Sequence, residues 1–205
     1  MSYFTTEIIL SVAAQYLAAT GRAPSVANAT DRLAQEAEEI RFPSVPEETE
    51  IKPAVLFDIF LSHSSLDQLQ VLGIYRLLTQ RGYNVYLDQV CDPYLDRTRV
   101  TPLTARVIRY RMVQSKSLFV ATSSNVSQSK WVPWELGFSD GWNGKAAVLP
   151  ILPQNVTSFN GQEYFGIYPE VQDRPGYTYP QDLEINHHQS FTEPWDRWVT
   201  RNRVY

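Results

Sequence analysis

The chain is poor in the residues that build disulfides and metal sites. Among 205 residues there is one cysteine, Cys91, and only three histidines. A lone cysteine closes no internal disulfide, and the paired Cys/His spacing of a structural zinc site is missing, so no metal is expected and a reducing compartment fits. A basic excess is also lacking, with 18 Lys and Arg against 22 Asp and Glu and a formal charge of −4. Phosphate backbones are held by surplus cations, so nucleic acid is not an expected partner. The longest apolar run, Ile8 to Ala19, is interrupted by Ser11 and Gln15 and is too short to cross a bilayer. No Lys or Arg precedes it as in a signal peptide, so no membrane is expected and the cytoplasm is the expected setting. What is present is 43% hydrophobic and 20% charged residues, a globular balance with room for one full domain plus an appendage or at most two small domains. Aromatics reach 13%, with Tyr and Trp crowded late in the chain.

The first forty residues read as two helices. Ile8, Ile9, Val12, Tyr16 and Leu17 recur at helical spacing behind a Thr5 or Thr6 cap, and Gly21 with Pro24 ends the run. A second helix is expected from Thr30 to Ile40, capped by Asn28 or Thr30, with Leu33, Ala37 and Ile40 as its stripe. Neither buries enough to stand alone. PSVPEETEIKP then reads as an extended acidic linker, so residues 1–52 are taken as a helical extension and 53–205 as the main domain.

From Ala54 strands and helices alternate. AVLFDIFLS, YNVYLD, SLFVATS and AAVLPIL are short apolar strands, with helices expected over residues 66–80, 103–113 and 130–140 between them. That order predicts an α/β doubly wound fold with a parallel sheet. EYFGIYPEV supplies a fifth strand, and a last helix is expected to start at Thr192, with Trp195, Trp198 and Val199 on one face.

Ligands of such sheets bind beyond the carboxyl ends of the strands. The first strand ends in Ser62, His63, Ser64 and Ser65, followed by Asp67, which serve either as helix caps or as an anion cradle. Adjacent strand residues face opposite ways, so Ser62 and His63 do not pair with each other and a hydrolase triad is disfavoured. Asp88 ends the second strand without the acidic pair a phospho-acceptor needs. Arg97 to Lys116 holds six cations and no acid, and reads either as a contact for phosphates or an acidic partner or as a solvated helix face. In SQSKWVPWELGFSDGW, Trp131 and Glu135 are one helical turn apart, an indole beside a carboxylate. Pro133 puts the helix start near Val132, which leaves either Trp131 or Trp134 as the aromatic wall.

These segments together resemble the Toll/interleukin-1 receptor (TIR) domains, particularly those of bacterial anti-phage defence such as the Thoeris TIR subunit. FDIFLSHSSLD is similar to the family's first strand and Ser/His loop, GYNVYLDQ to the strand entering the BB loop, and SKWVPWELG to the helix with the catalytic glutamate. The resemblance covers about Val55 to Leu152. It implies a TIR, flavodoxin-like fold with a central parallel sheet of about five strands flanked by helices. It also implies cleavage of the nicotinamide glycosidic bond of NAD+, as substrate and with no further cofactor, and production of an ADP-ribose-derived signal, cyclic or not. In the family's pattern Glu135 is catalytic, while Ser62, His63, Ser64 and Trp131 line the substrate site. Because nicotinamide leaves neutral, one carboxylate suffices where ordinary glycosidases need two. The resemblance further implies self-association through the BB loop, Gln89 to Pro102, and neighbouring helices, and a separate effector that responds to the product. A non-catalytic adaptor module and a nucleoside deoxyribosyltransferase-like enzyme are the competing expectations.

Overall fold

A computed structural model describes residues 2–39, 45, 54–64, 67–122, 129–156, 163–188 and 190–202. The acidic segment expected as a linker lies almost wholly outside the described residues, as do Ile40 and Ser65.

The chain forms β1 (Phe4–Thr5), α1 (Thr6–Ala19), α2 (Val26–Glu39), β2 (Phe57–Ser62), α3 (Gln68–Gln80), β3 (Val85–Tyr86), α4 (Asp88–Cys91), α5 (Pro102–Val113), β4 (Ser115–Thr122) and α6 (Val132–Asn143). After β5 (Ala146–Leu152) come a 3-10 turn at Glu163–Ile167, β6 (Glu170–Asp173), β7 (Leu183–Asn186), β8 (Thr192–Pro194) and α7 (Trp195–Thr200). The fold is α/β, with a mostly parallel sheet flanked by helices. Sheet order is β3-β2-β4-β5-β6-β7-β8. The first five of these run parallel, and β7 and β8 continue the sheet antiparallel.

Two corrections concern the C-terminal part. Only the end of EYFGIYPEV is strand, since Glu163–Ile167 winds into a 3-10 turn first. Thr192–Pro194 pairs with β7, so the last helix begins at Trp195 rather than Thr192. An edge strand tolerates Pro194 because its missing N–H is not needed on the outer side.

Continuous apolar sequence is explained by burial on both faces. All seven residues of β5 and all six of β2 are buried. Tyr86, Phe57 and Phe60 pack beneath α5 and α6 with Ile108, Met112 and Leu136. The opposite face carries Ile59, Leu61, Phe119 and Leu149 under α3 and α1.

The N-terminal helices belong to that second layer. Ile9, Ala13 and Leu17 of α1 and Ala29 and Leu33 of α2 enter the same core. Thr5 caps α1 by accepting from the Ile8 N–H, and Ser25 accepts from the Asn28 N–H at the start of α2, which begins earlier than its sequence suggests. Gly73 sets how closely α1 and α3 approach, since a Cβ there would lie 2.2 Å from the Ile9 carbonyl oxygen. A polar knot adds to the packing: Tyr16 donates to Glu36 at 2.5 Å, and the Arg76 guanidinium lies 4.0 Å from the Tyr16 ring centroid. β1 pairs in parallel with the end of β5, Phe4 opposite Ile151, so the extension also joins the sheet.

Trp195 and Trp198 are buried. Trp195 Nε1 donates to Ser117 Oγ at 3.1 Å, and Lys145 Nζ donates to the Trp198 carbonyl at 2.5 Å, which ties the tail to the central strands.

Candidate active site

The order β3-β2-β4-β5-β6 reverses direction between β2 and β4, and that is where ligands of doubly wound sheets bind. β2 delivers Ser62 and His63 to this point, and α6, following β4, delivers Glu135. Ser62 Oγ donates to Glu135 Oε2 at 2.5 Å, and both side chains are fully buried. Pro133 sits in the first turn of α6, where its absent N–H is harmless, with Trp131 at the N-cap. The Trp131 carbonyl accepts from the Glu135 N–H at 2.9 Å, closing the first turn.

A cavity of about 470 Å³ opens beside this helix start, lined among others by His63, Asp88, Gln89, Arg97, Lys130 and Trp131. Trp131 is therefore the aromatic wall. Trp134 meets it edge-on at 5.5 Å and stacks on Phe138 along the outside of α6. His63 is buried, its Nδ1 3.2 Å from the Leu61 carbonyl and its Nε2 3.8 Å from Asp88 Oδ1. Ser64 is buried beside it but is not part of the cavity wall. Of the five residues expected at the site, Ser62 and Glu135 form a bonded pair, His63 and Trp131 line the cavity, and Ser64 stands behind them.

Three residues enter the site that the sequence reading left out of it. Arg97, from the loop before α5, donates through Nη2 to Glu135 Oε1 and through Nη1 to Asp88 Oδ2, the latter at 2.9 Å. Its own carbonyl accepts from Trp131 Nε1 at 2.7 Å. Burial works against the guanidinium's charge, but the Glu135 and Asp88 carboxylates outweigh it and hold the Arg97 pKa above its ordinary value. Burial equally opposes ionisation of Asp88. Arg97 and then His63 overcome it and keep the carboxyl below its usual range. Asp88 Oδ1 and Gln89 Oε1 are buried without a hydrogen-bond partner among the described residues. Signals for these residues existed: an acid expected to end the second strand, which instead opens α4 because β3 stops at Tyr86, and an arginine opening the basic stretch. Only the fold shows that the two meet.

The stretch from Arg97 to Lys116 is correspondingly not one solvated face. Arg111 is fully buried on Asp92, and Lys116 holds Asp58 at 2.7 Å.

Chemically, the arrangement presents an anionic carboxylate fixed by a serine, next to an indole, behind an arginine that caps it. Such a carboxylate stabilises positive charge and accepts hydrogen bonds from hydroxyls.

No family model matches the chain. It is 49% identical over 117 residues to a Bacillus cereus protein named "Probable 3' cyclic ADP-D-ribose synthase ThsB'", covering 57% of this chain and 61% of that one. Over a little more than half its length the chain is thus similar to a bacterial protein of that name. A Cytobacillus dafuensis protein named "Putative cyclic ADP-D-ribose synthase TIR2" is 29% identical over 94 residues, 45% of this chain and 25% of that protein. The chain thus spans about three fifths of the first relative's length and a quarter of the second's. Among the described residues, no helix is long and apolar enough to cross a membrane.

Proposed function

We propose that this chain is a TIR enzyme that cleaves the nicotinamide glycosidic bond of NAD+ and closes the ADP-ribose into a cyclic signal. The observation that carries the reading is the Ser62–Glu135 pair at the strand switch point, beside a cavity walled by Trp131. The names of the two relatives, both cyclic ADP-D-ribose synthases, favour the same chemistry.

In this mechanism NAD+ displaces Arg97 from Glu135. The ribose hydroxyls then donate to the carboxylate, whose charge stabilises the oxocarbenium-like ribose as the C–N bond breaks. Nicotinamide departs as a neutral base, so no acid has to protonate it, and the reaction needs no cofactor beyond the substrate. Trp131 offers a flat apolar wall to the leaving ring and keeps water away from the cation. Ser62 holds the glutamate's second oxygen and fixes its rotamer.

Arg97 covers Glu135 in the isolated chain, so the reading includes an opening step. Self-association through the loop before α5 is the proposed trigger, and a separate effector responding to the product in the cytoplasm is the proposed partner, as in a two-component defence system. Concentrated protein incubated with NAD+ is expected to release nicotinamide and a cyclic ADP-ribose, both measured by mass spectrometry. Glu135→Gln is expected to lower that release by about 100-fold or more. Full activity in Glu135→Gln would remove the glutamate from its role. Absence of nicotinamide at every protein concentration, with salt-sensitive self-association, would favour the adaptor reading instead.

A further inference from the structure

Breaking the glycosidic bond takes one carboxylate, but closing a ring through a ribose hydroxyl takes a base as well. The attacking hydroxyl must lose its proton as it bonds to the anomeric carbon. This inference rests on the function proposed above and asks which residue takes that proton.

A single guanidinium at the cavity wall joins two carboxylates, Asp88 of the wall itself and Glu135 buried behind it. Arg97 Nη1 holds Asp88 Oδ2 at 2.9 Å while Nη2 holds Glu135. One arginine fork spanning both keeps the two carboxylates close enough to serve a single bound substrate. Their bonding differs. Glu135 is used on both oxygens, by Ser62 and by Arg97. Asp88 is 6% exposed, and its Oδ1 has no hydrogen bond among the described residues. His63 Nε2 lies 3.8 Å from that oxygen, beyond bonding distance. Gln89 Oε1 next in sequence is equally unpaired and buried. Two buried acceptor oxygens at a cavity wall call for hydroxyl donors from a ligand. Asp96 also lines the cavity, but it is exposed, and its Oδ1 already accepts from the Thr98 N–H and hydroxyl.

We propose that Asp88 is the general base of ring closure, its Oδ1 taking the proton of the hydroxyl on the adenosine-side ribose. As that oxygen attacks the anomeric carbon of the nicotinamide-side ribose, the new C–O bond forms and the C–N bond breaks. The C–N electron pair leaves with neutral nicotinamide, the hydroxyl proton passes to Asp88 and then to water, and nothing is oxidised or reduced. Gln89 Oε1 accepts from a neighbouring hydroxyl and helps aim the nucleophile. Arg97 releases Glu135 to the substrate but keeps Oδ2 of Asp88, which holds the base in place. Despite burial, Arg97 and His63 keep the Asp88 carboxyl below its ordinary range, so it is in the proton-accepting form at neutral pH.

The test reads cyclic product formed per nicotinamide released, by chromatography with mass detection, on the full-length chain. Asp88→Asn is expected to lower that ratio by about 100-fold, with linear ADP-ribose taking its place as water attacks instead. An unchanged ratio overturns the proposal. So does complete loss of nicotinamide release in a folded variant, because Asp88 would then act in bond cleavage. Should Asp88→Asn not fold, Asp88→Glu keeps the charge that Arg97 needs but moves the oxygens by one methylene. Its ratio is also expected to fall, and a wild-type ratio there, or no nicotinamide from the folded variant, counts against the base. Failure of the underlying function looks different, since wild-type protein would then release no nicotinamide at all.

Discussion

Arg97 and Arg111 come from the same basic stretch, and both reach buried carboxylates, yet they end in opposite situations. Arg111 lays Nε and Nη2 on the two oxygens of Asp92 at 2.8 and 2.9 Å and gives Nη1 to Gln114 at 2.9 Å. The hydroxyls of Tyr86 and Tyr94 donate to the same carboxylate, each at 2.9 Å. Asp92 is saturated and sealed. Arg97 instead divides its fork between carboxylates from two different elements, and it leaves Asp88 Oδ1 unpaired at a cavity. A two-pronged pair on one acid is a scaffold joint, whereas a fork over two acids at a cavity is a cover that a ligand can displace.

The comparison breaks most readily through Arg111. Arg111→Met strands Asp92 without a counter-charge in a site closed to water, so a loss of about 3–5 kcal/mol is expected in urea unfolding. A loss below about 1 kcal/mol would mean the joint is not structural. Arg97→Met also strands carboxylates, but Asp88 borders a cavity that water can enter and Ser62 still donates to Glu135, so the expected loss is smaller, about 1–3 kcal/mol. Equal losses for the two variants would erase the distinction drawn here.

Acid should sharpen it further. The Asp88 carboxyl is depressed in the folded protein relative to an unfolded value near 3.9, so its stabilisation is complete above that pH and is lost as pH falls through the folded value. The stability gap between wild type and Asp88→Asn, measured by urea midpoints, is therefore expected to be constant from pH 7 to about 5 and to shrink below about pH 4. A gap that persisted at pH 2 would separate it from ionisation. Lys116→Met removes the last cation of the stretch from Asp58, where the lysine side chain is 45% exposed. It should cost less than about 1 kcal/mol, and less still in high salt. The smallest effect concerns Cys91, whose thiol burial pushes up to about 12. No reaction with a thiol reagent is expected from the folded protein at pH 8, and rapid labelling would show that α4 opens locally.

Much of the fold was legible because burial leaves a direct mark on sequence. AAVLPIL matches β5 residue for residue, since a strand covered on both faces must be apolar throughout. The helix start at Val132 followed from Pro133, whose ring fits only a first turn. The tail was harder to read. Thr192–Pro194 looks like a helix cap with its first-turn proline, but pairing with β7 makes it strand, a choice made by a neighbour distant in sequence. At the site, Ser62, His63, Trp131 and Glu135 were found through short motifs. Arg97 and Asp88 were visible only as a charge in a basic run and an acid after a strand. Neither pattern states which partner the side chain will take.

Taken alone, the sequence determined the alternation of strands and helices, the strand ends at which chemistry would gather and the identity of the buried carboxylate on α6. These are local properties, fixed by apolar period, caps and proline. Tertiary structure decided the rest: which arginine became a joint and which a cover, that the N-terminal helices complete the core under α3, and that Asp88 meets the cavity with an oxygen to spare. Such outcomes depend on distances between segments far apart in the chain. A charge's partner is set by where the backbone brings it, and by how much water is left beside it.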